Sequence, residues 1–212
     1  MLPRLSGNIF KKYLNIIRWM NRLYKYIVGI DETGRGPLAG PVAVATVAGK
    51  LKSQKSNLKS LRGIKDSKKL SAKQRERWYK IIKKNFEWHY ASINNETIDK
   101  IGIQKATLLG IKKILRKFKK KPDLVLMDGG LKAPKKYKQK TIIKGDEKIP
   151  LISAASIIAK VTRDRHMMRL HKKFPKYRFD KHKGYGTKLH YKKLKKNGPC
   201  KIHRKSYNIS IW

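Results

Sequence analysis

Residues 26–48 read YIVGIDETGRGPLAGPVAVATVA, and this stretch carries the pattern that decides the fold. The apolar, β-branched run Tyr26–Ile30 predicts a strand, the Gly-rich segment 34–40 predicts a turn, and Val42–Ala48 predicts a second strand. Asp31 and Glu32 stand directly after the first apolar run. Adjacent residues of a continuing strand point to opposite faces, whereas a strand that ends here would leave both acids free to face one site.

Beyond this stretch the pattern alternates between helices and strands. Apolar residues at helical spacing predict four helices, and short runs of apolar or alternating residues predict three more strands. The helices are expected from the Ser71 cap through Ile82, from Asn94 or Asn95 to a point before Pro122, from Ile149 to about Leu170 and over Leu189–Lys196, and the strands over Phe86–Tyr90, Leu124–Met127 and Thr141–Ile143. This order predicts an α/β protein with a mixed sheet flanked by helices.

The composition limits the domain count and the type of partner. A chain of 212 residues with 40% hydrophobic content is long enough for one domain with a real core. Fifty-five Lys and Arg against 13 Asp and Glu give a formal charge of +42, so the surface must attract polyanions. Nucleic acid is therefore the expected partner, although many of the lysines can equally be solvated surface residues.

Cysteine content and hydropathy exclude several other classes of protein. Cys200 is the only cysteine, so neither an internal disulfide nor a Cys-rich zinc site can form, and a reducing cytoplasm is expected. No apolar run approaches the roughly 20 residues that span a bilayer. Residues 8–26 mix apolar and basic side chains and can form an amphipathic helix. A membrane-surface role, a docking role and an extended leader are all open for this segment.

Three of the predicted strands are each followed by acidic residues. Asp128 follows Leu124–Met127 and Asp146 follows Thr141–Ile143, as Asp31 and Glu32 follow the first strand. Sites in α/β sheets form at the carboxyl ends of strands, so these four acids are expected to meet. Gathering them in a chain of charge +42 indicates neutralising cations, and oxygen ligands favour Mg²⁺ or Mn²⁺ over zinc. The alternative is that Asp128 and Asp146 are ordinary turn residues beside glycine.

The residues around these acids resemble the type 2 ribonuclease H family. The matching blocks, in chain order, are GIDETGRGPLAGP (29–41), DSKKLS (66–71), MDG (127–129), KGD (144–146), SAASIIAKVTRD (153–164), HKGYGT (182–187) and GPCKIHR (198–204). They extend over roughly residues 26–208. One departure is Thr33, which stands where the family motif usually has Ala, and GRG at 34–36 separates the chain from the related type 3 class, which usually reads GTG.

The resemblance implies a ribonuclease H-like fold with a small basic helical C-terminal part. Residues 1–24 form an extension of unknown role, and 25–212 form the catalytic domain, with its core over about 25–170 and the helical part over about 171–212. The implied activity is endonucleolytic hydrolysis of the RNA strand of RNA–DNA hybrids and nicking on the 5′ side of ribonucleotides embedded in duplex DNA. Two divalent ions, Mn²⁺ or Mg²⁺, would assist, leaving 5′-phosphate and 3′-hydroxyl ends. A cytoplasmic monomer that binds nucleic acid and no membrane is expected.

The resemblance also assigns roles to individual residues. It implies that Asp31, Glu32, Asp128 and Asp146 bind the metal ions; we expect Asp31 and Asp128 to contact both ions, and Glu32 and Asp146 one each. The backbone of Gly34, Arg35 and Gly36 would surround the scissile phosphate and the ribose 2′-hydroxyl, which distinguishes RNA from DNA. The Tyr185 ring would pack near the following sugar, or else be a half-buried packing residue. Candidate phosphate contacts are Ser153, Ser156, Lys68, Lys69, Lys160, Arg163 and Lys183.

A different class of function also fits the charge. A non-catalytic basic protein that binds nucleic acid would have the same composition, but it gives no reason for acids after three strands. Asp164 is expected to form an ion pair, and His182 and His203 are expected to be structural or to lie near phosphate.

Overall fold

The fold is built on a five-stranded mixed sheet with helices on both faces. It is seen in a computed structural model that describes residues 23–50 and 57–207. The strand order is β3-β2-β1-β4-β5; β2 is antiparallel to both of its neighbours, β1 and β3, whereas β4 and β5 run parallel to β1. This confirms the predicted α/β class. The extension 1–24 and the predicted helix over 8–26 lie outside the described residues, apart from their last few positions.

The five strands and the four longer helices follow one another as the sequence pattern predicts, whereas the short helices α3 and α5 and the 3₁₀ turns were not predicted. In chain order they are β1 (Tyr26–Thr33), β2 (Val42–Lys50), α1 (Ala72–Asn85), β3 (Trp88–Ile93), α2 (Asn95–Leu115), β4 (Leu124–Asp128), β5 (Gln139–Ile142), α3 (Gly145–Lys148), α4 (Pro150–Lys173), α5 (Phe179–His182) and α6 (Lys188–Asn197), with 3₁₀ turns at Asn57–Leu61, Ser67–Lys69 and Pro175–Tyr177. The Ser71 cap of α1 is a full capping box with Gln74, and Asn94 caps α2.

The bounds of β3 and β5 differ from the prediction. The strand expected over Phe86–Tyr90 runs over Trp88–Ile93, because Phe86 is the C-terminal cap of α1 and its ring packs in the core. The strand expected over Thr141–Ile143 runs over Gln139–Ile142, because Gln139 and Lys140 continue the pairing with β4 and Ile143 is exposed. Local apolar alternation thus located both strands but not their ends.

The core lies on both faces of β1, which is the central strand. On one face Ile27 packs with α1 and α4, and on the other Val28 and Ile30 pack with α2. Helix α4 approaches β1 very closely at Gly29, where a Cβ atom would lie 2.3 Å from the carbonyl carbon of Leu151. Only glycine permits this approach, which places the start of α4 beside the acidic end of β1.

The C-terminal part packs as a separate apolar cluster around Phe179. It contacts the segment after β1 through backbone hydrogen bonds: Leu38 N donates to Gly184 O at 2.8 Å, and Arg204 N donates to Leu38 O at 2.8 Å. The Gly-rich segment is therefore held between the sheet and the C-terminal residues.

Candidate active site

Asp31 and Glu32 lie inside β1 and not after it. Strand β1 continues to Thr33, and Asp31 and Glu32 pair with Ala45 and Val44 of β2, so the expectation of a strand end before the acids is wrong. The reason is that pairing with β2 extends the strand past its apolar run. The Asp31 side chain is 5% exposed, while Glu32 is more accessible and forms an ion pair with Arg35 at 3.6 Å.

Asp128 is the last residue of β4 and lies beside Asp31 at the edge of the sheet. The parallel pairing of β1 with β4 runs in register up to Ile30 and Met127, so Asp31 and Asp128 are the next residues on the two strands. Asp128 Oδ1 accepts a hydrogen bond from the backbone N–H of Gly145 at 2.6 Å. This bond joins the end of β4 to the turn that carries Asp146.

Asp146 comes from a helical turn and not from a strand end. It lies in α3, beyond the end of β5, and is 6% exposed. Lys144 just before it adopts a left-handed backbone conformation with φ of 55°, which turns the chain back toward the sheet. This turn supports the prediction that Asp146 lies with the other acids. Asp146 is held by the helical turn α3, however, and not by the end of the preceding strand.

The pKa values show how closely the acids are grouped. Burial raises the pKa of Asp31 well above its usual range, and the neighbouring charges of Glu32 and Asp128 raise it further. Burial likewise raises the pKa of Asp146 to about 6, with Asp128 and Asp66 adding to the effect. Burial also raises the pKa of Glu32, against the opposing effect of Arg35. The acids repel one another in a desolvated site, which is the electrostatic condition for binding a cation.

The 3₁₀ turn Ser67–Lys69, which was not predicted to contact the acids, adds Asp66 and Lys68 to this group of charged side chains. Asp66 is 4% exposed, and its carboxyl group lies near enough to Asp146 to raise the pKa of Asp146. The ammonium group of Lys68 lies 3.7 Å from Asp146 Oδ2. Burial pulls the pKa of Lys68 down, but the acids outweigh it and the net pKa is raised. Asp66 belongs to the DSKKLS block, so the signal was present in the motif but carried no prediction of contact with the acids.

The two serines predicted to contact phosphate are buried among the acids. Ser153 Oγ donates to the backbone carbonyl of Asp146 at 2.6 Å. The Ser156 hydroxyl lies 2.8 Å from the Ser67 hydroxyl and hydrogen-bonds the Asp31 carboxylate. In this structure both serines orient the acids and their supporting turns. Their predicted contact with phosphate is not tested.

The acids fit a hard divalent cation by their chemistry. Their donors are carboxylate oxygens, which Mg²⁺ and Mn²⁺ prefer, and they are desolvated and like-charged. Within residues 23–50 and 57–207, no three carboxylate, imidazole or thiol groups are already arranged to hold one ion between them. Asp128 Oδ1 is occupied by the Gly145 amide, and Lys68 supplies the positive charge beside Asp146. Small side-chain movements would be needed before these acids could share an ion.

The Gly34–Gly36 loop directly follows β1 and is exposed at Arg35 and Gly36. Gly34 has φ of +87°, and a Cβ atom there would lie 2.1 Å from Nε of Arg163, so glycine is required on two counts. The inner side of the loop contacts the guanidinium group of Arg204, which donates to the carbonyl oxygens of Gly34 and Arg35. Burial lowers the pKa of Arg204 to about 10, so this group stays charged at neutral pH.

Tyr185 lies at the surface beside cationic side chains. Its side chain is 37% exposed, and its ring is 5.7 Å from the Lys160 ammonium group and 5.6 Å from the Arg163 guanidinium carbon. Lys160 forms the expected ion pair with Asp164, at 3.0 Å. Lys183 donates to the Asp180 carbonyl and Lys69 pairs with Glu147 at 2.9 Å. Tyr185 therefore presents an accessible ring, which is what packing against a sugar requires.

Arg163 is not placed for phosphate contact. Its side chain is fully buried and donates to the backbone carbonyls of Pro41, at 2.9 Å, and Lys183, at 3.1 Å. The expectation of a phosphate contact is wrong here because the long side chain of Arg163 points from α4 into the protein. Its donors hold the chain around the Gly-rich loop instead.

The described histidines with buried rings are structural. His182 Nε2 lies 2.9 Å from the Tyr177 carbonyl, His190 Nδ1 lies 3.0 Å from the Tyr185 carbonyl, and the Nε2 atoms of His190 and His203 are 3.1 Å apart. Burial lowers the pKa of both His190 and His203 to about 4. These neutral rings support the loop that carries Tyr185, which confirms the structural role expected for His182 and His203.

Comparison with known sequences identifies a family with this arrangement. The sequence profile described as ribonuclease HII matches residues 28–210. The ribonucleases HII of Caldicellulosiruptor bescii and Pelagibacter ubique are 45% and 46% identical to this chain over 193 and 186 residues. These alignments cover 91% and 87% of this chain, and 91% and 96% of the two relatives.

Solved structures agree with the sequence comparison. Ribonuclease H2 from Pyrococcus horikoshii OT3 is 27% identical with a TM-score of 0.70, covering 86% of this chain and 94% of that one. RNase HII from Archaeoglobus fulgidus, solved in a complex with PCNA, is 30% identical with a TM-score of 0.70, covering 86% and 95%. Bst-RNase HIII in complex with Mn²⁺ is 18% identical with a TM-score of 0.60 and shares the fold.

Proposed function

Since the chain belongs to the ribonuclease HII family and is therefore a nuclease that cuts the RNA of RNA–DNA hybrids, we propose that it also nicks DNA on the 5′ side of embedded ribonucleotides. Asp31, Glu32, Asp128 and Asp146 are the catalytic acids in this proposal. The observation that carries it is the grouping of these desolvated acids, linked by the bond from Gly145 N to Asp128, beside a Gly-rich loop with exposed backbone.

The four acids would hold two divalent ions, Mg²⁺ or Mn²⁺. When bound, such ions activate water and offset the charge on the leaving oxygen of a phosphodiester. Asp31 and Asp128 lie on neighbouring strands, and the Asp128 charge acts on Asp31, Glu32 and Asp146, which favours this pair as ligands of both ions. Ser156 orients the Asp31 carboxylate, and Gly145 orients that of Asp128. Cleavage with 5′-phosphate and 3′-hydroxyl products is the expected outcome.

Substrate recognition is assigned to groups that surround the acids. The backbone of Gly34, Arg35 and Gly36 would read the ribose 2′-hydroxyl, and Tyr185 would pack on the next sugar. Lys68, Lys160 and Lys183 are near the acids or the tyrosine, and we propose that they contact phosphates. Ser153 and Ser156, which are buried beside the acids, belong to the same proposed set of phosphate contacts. The formal charge of +42 would add long-range attraction for either substrate.

A monomeric state and a cytoplasmic location are part of the same proposal. The lone cysteine fits a reducing compartment. Among the described residues, no helix is long and apolar enough to cross a bilayer.

The test is a cleavage assay on three labelled duplexes of one sequence: an RNA–DNA hybrid, a DNA duplex with a single ribonucleotide, and an all-DNA duplex. Each is incubated with Mg²⁺, with Mn²⁺ and with EDTA. We expect cleavage of the first two only, dependent on metal, with a product that a DNA polymerase can extend from its 3′-hydroxyl. Binding of all three duplexes without cleavage would favour a non-catalytic nucleic-acid-binding protein and refute the proposal.

A further inference from the structure

Two fully buried arginines lie behind the Gly-rich loop. Arg163 comes from the middle of α4 and Arg204 from the C-terminal segment, and both have an exposure of 0%. Burying a guanidinium group costs desolvation energy that its hydrogen bonds only partly offset, so stability alone is a weak reason to place two of them here. Their donors are directed at backbone carbonyls of the loop and its neighbours.

Arg204 fixes the direction of successive peptide units. Its Nη2 donates to Gly34 O at 2.6 Å, its Nη1 to Arg35 O at 2.7 Å and its Nε to Gly40 O at 3.0 Å. In a trans peptide the C=O and the N–H of the same unit point in opposite directions. Because the carbonyls of Gly34 and Arg35 point inward to Arg204, the N–H groups of Arg35 and Gly36 point outward. Both of those residues are exposed.

Tyr207 reinforces the same contact. Its hydroxyl donates to Arg35 O and accepts from Nη1 of Arg204, at 2.9 Å. The segment that carries both residues is tied to the loop by backbone bonds, including Gly40 N to Ile202 O at 2.9 Å.

Arg163 joins the loop to the segment that carries Tyr185. Its Nε donates to Pro41 O and its Nη1 to Lys183 O, so one side chain bridges positions that are far apart in the sequence. Its guanidinium carbon lies 5.6 Å from the centre of the Tyr185 ring. The backbone bond from Leu38 N to Gly184 O runs alongside, so the spacing between the loop and the tyrosine is fixed.

We propose that Arg204 and Arg163 are positioning residues that set the ribose specificity of the enzyme. Arg204 directs the amides of Arg35 and Gly36 toward the substrate, and Arg163 sets the distance from these amides to the Tyr185 ring. Only a guanidinium group offers a planar fork of donors that can orient several carbonyls at once, whereas lysine presents one rotating ammonium group. This inference rests on the proposed function and adds the residues that make the loop selective.

The test is the ribose preference of the Arg204→Lys and Arg163→Lys variants, with Arg165→Lys as the matched control. Arg165 is also on α4, but its head group is at the surface, where it pairs with Glu76. KM is measured for a duplex with one ribonucleotide, and Ki is measured for the all-DNA duplex as a competing inhibitor in the same Mg²⁺ buffer. The ratio of Ki to KM does not depend on the fraction of active enzyme, so partial unfolding does not change it.

We expect the ratio to fall about tenfold in Arg204→Lys, the factor that accompanies the loss of one or two hydrogen bonds to the ribose. Arg163→Lys should lower it by a smaller factor, together with kcat, and Arg165→Lys should preserve it. If Arg204→Lys does not fold, Tyr207→Phe removes two bonds of the same network and should lower the ratio two- to threefold, roughly the value of a single neutral hydrogen bond.

The two proposals fail in different ways. Absence of cleavage by the wild-type protein would remove the proposed function. Wild-type cleavage with a ratio near 1, or an unchanged ratio in Arg204→Lys and Tyr207→Phe, would overturn the positioning role and leave the nuclease activity in place.

Discussion

Replacing Gly29 with alanine tests whether the close approach of α4 to β1 builds the active site. The added Cβ atom would lie 2.3 Å from the Leu151 carbonyl carbon, about 1.1 Å short of the 3.4 Å at which ordinary contact begins. The obstacle is helix backbone and not a flexible side chain. The strand and the helix must therefore separate by about 1 Å near Asp31 and the serines of α4.

Overpacking of this kind costs typically 1–3 kcal/mol, and the backbone obstacle argues for the upper end, about 3 kcal/mol. For a chain of this length, that corresponds to a fall in Tm of about 6–12 °C. The rate of hybrid cleavage should fall by more than the folded fraction, up to about 100-fold, because a displacement of about 1 Å disturbs the alignment of catalytic groups.

The assay is thermal unfolding by circular dichroism together with cleavage of an RNA–DNA hybrid at 25 °C. Gly130→Ala is the matched control, since a Cβ atom there meets no other atom within 4 Å and its backbone is not left-handed. The control should keep Tm within about 4 °C, the upper end of the effect expected from an unstrained Gly→Ala change. A wild-type Tm in Gly29→Ala would show that the approach is not tight and would refute the reasoning.

The remaining predictions concern the acids, the tyrosine, the surface charge and the histidines. Asp128→Asn should abolish cleavage, because it removes a metal ligand. The affinity for the hybrid, measured by fluorescence anisotropy, should stay within a few-fold of the wild-type value because the basic surface is unchanged. Near-normal turnover would contradict the assignment of Asp128 as a metal ligand. Tyr185→Ala should slow nicking at a single ribonucleotide strongly and keep the metal dependence, and a wild-type rate on that duplex would return Tyr185 to a packing role. Binding of an uncleavable hybrid should weaken with salt at a log–log slope of about −0.9 per phosphate neutralised, so a flat response would remove the electrostatic argument. For His190 and His203 the folded-state pKa of about 4 lies below the unfolded value of about 6.5, so the unfolded chain binds protons first as pH drops. The free energy of unfolding should therefore fall between about pH 6.5 and about pH 4, by at most about 3 kcal/mol per histidine. Urea unfolding between pH 7 and 4.5 measures this fall, which should be smaller in His190→Gln; equal falls in the two proteins would exclude His190 as a source.

The sequence alone determined the order of the strands and the longer helices, and it singled out the four acids as site candidates. The runs around Val28, Val44 and Val125 predict buried strands because strand and helix periodicities are local properties of the chain. The spacing of the motif blocks led to the family, which the comparisons then confirmed. The strand and helix patterns, and each motif block taken singly, depend on residues within a few positions of one another.

Only the tertiary structure decided which polar side chains meet. Pairing with β2 carried β1 through Asp31 and Glu32, and a turn after β5 brought Asp146 to the site, where Asp66 joined it. Arg163 was expected to contact phosphate and Arg204 carried no prediction of its own, yet both are buried behind the loop. The physical reason is that burial and contact depend on strand order and on how closely helices cross the sheet, and these join residues more than 100 positions apart that no local pattern relates.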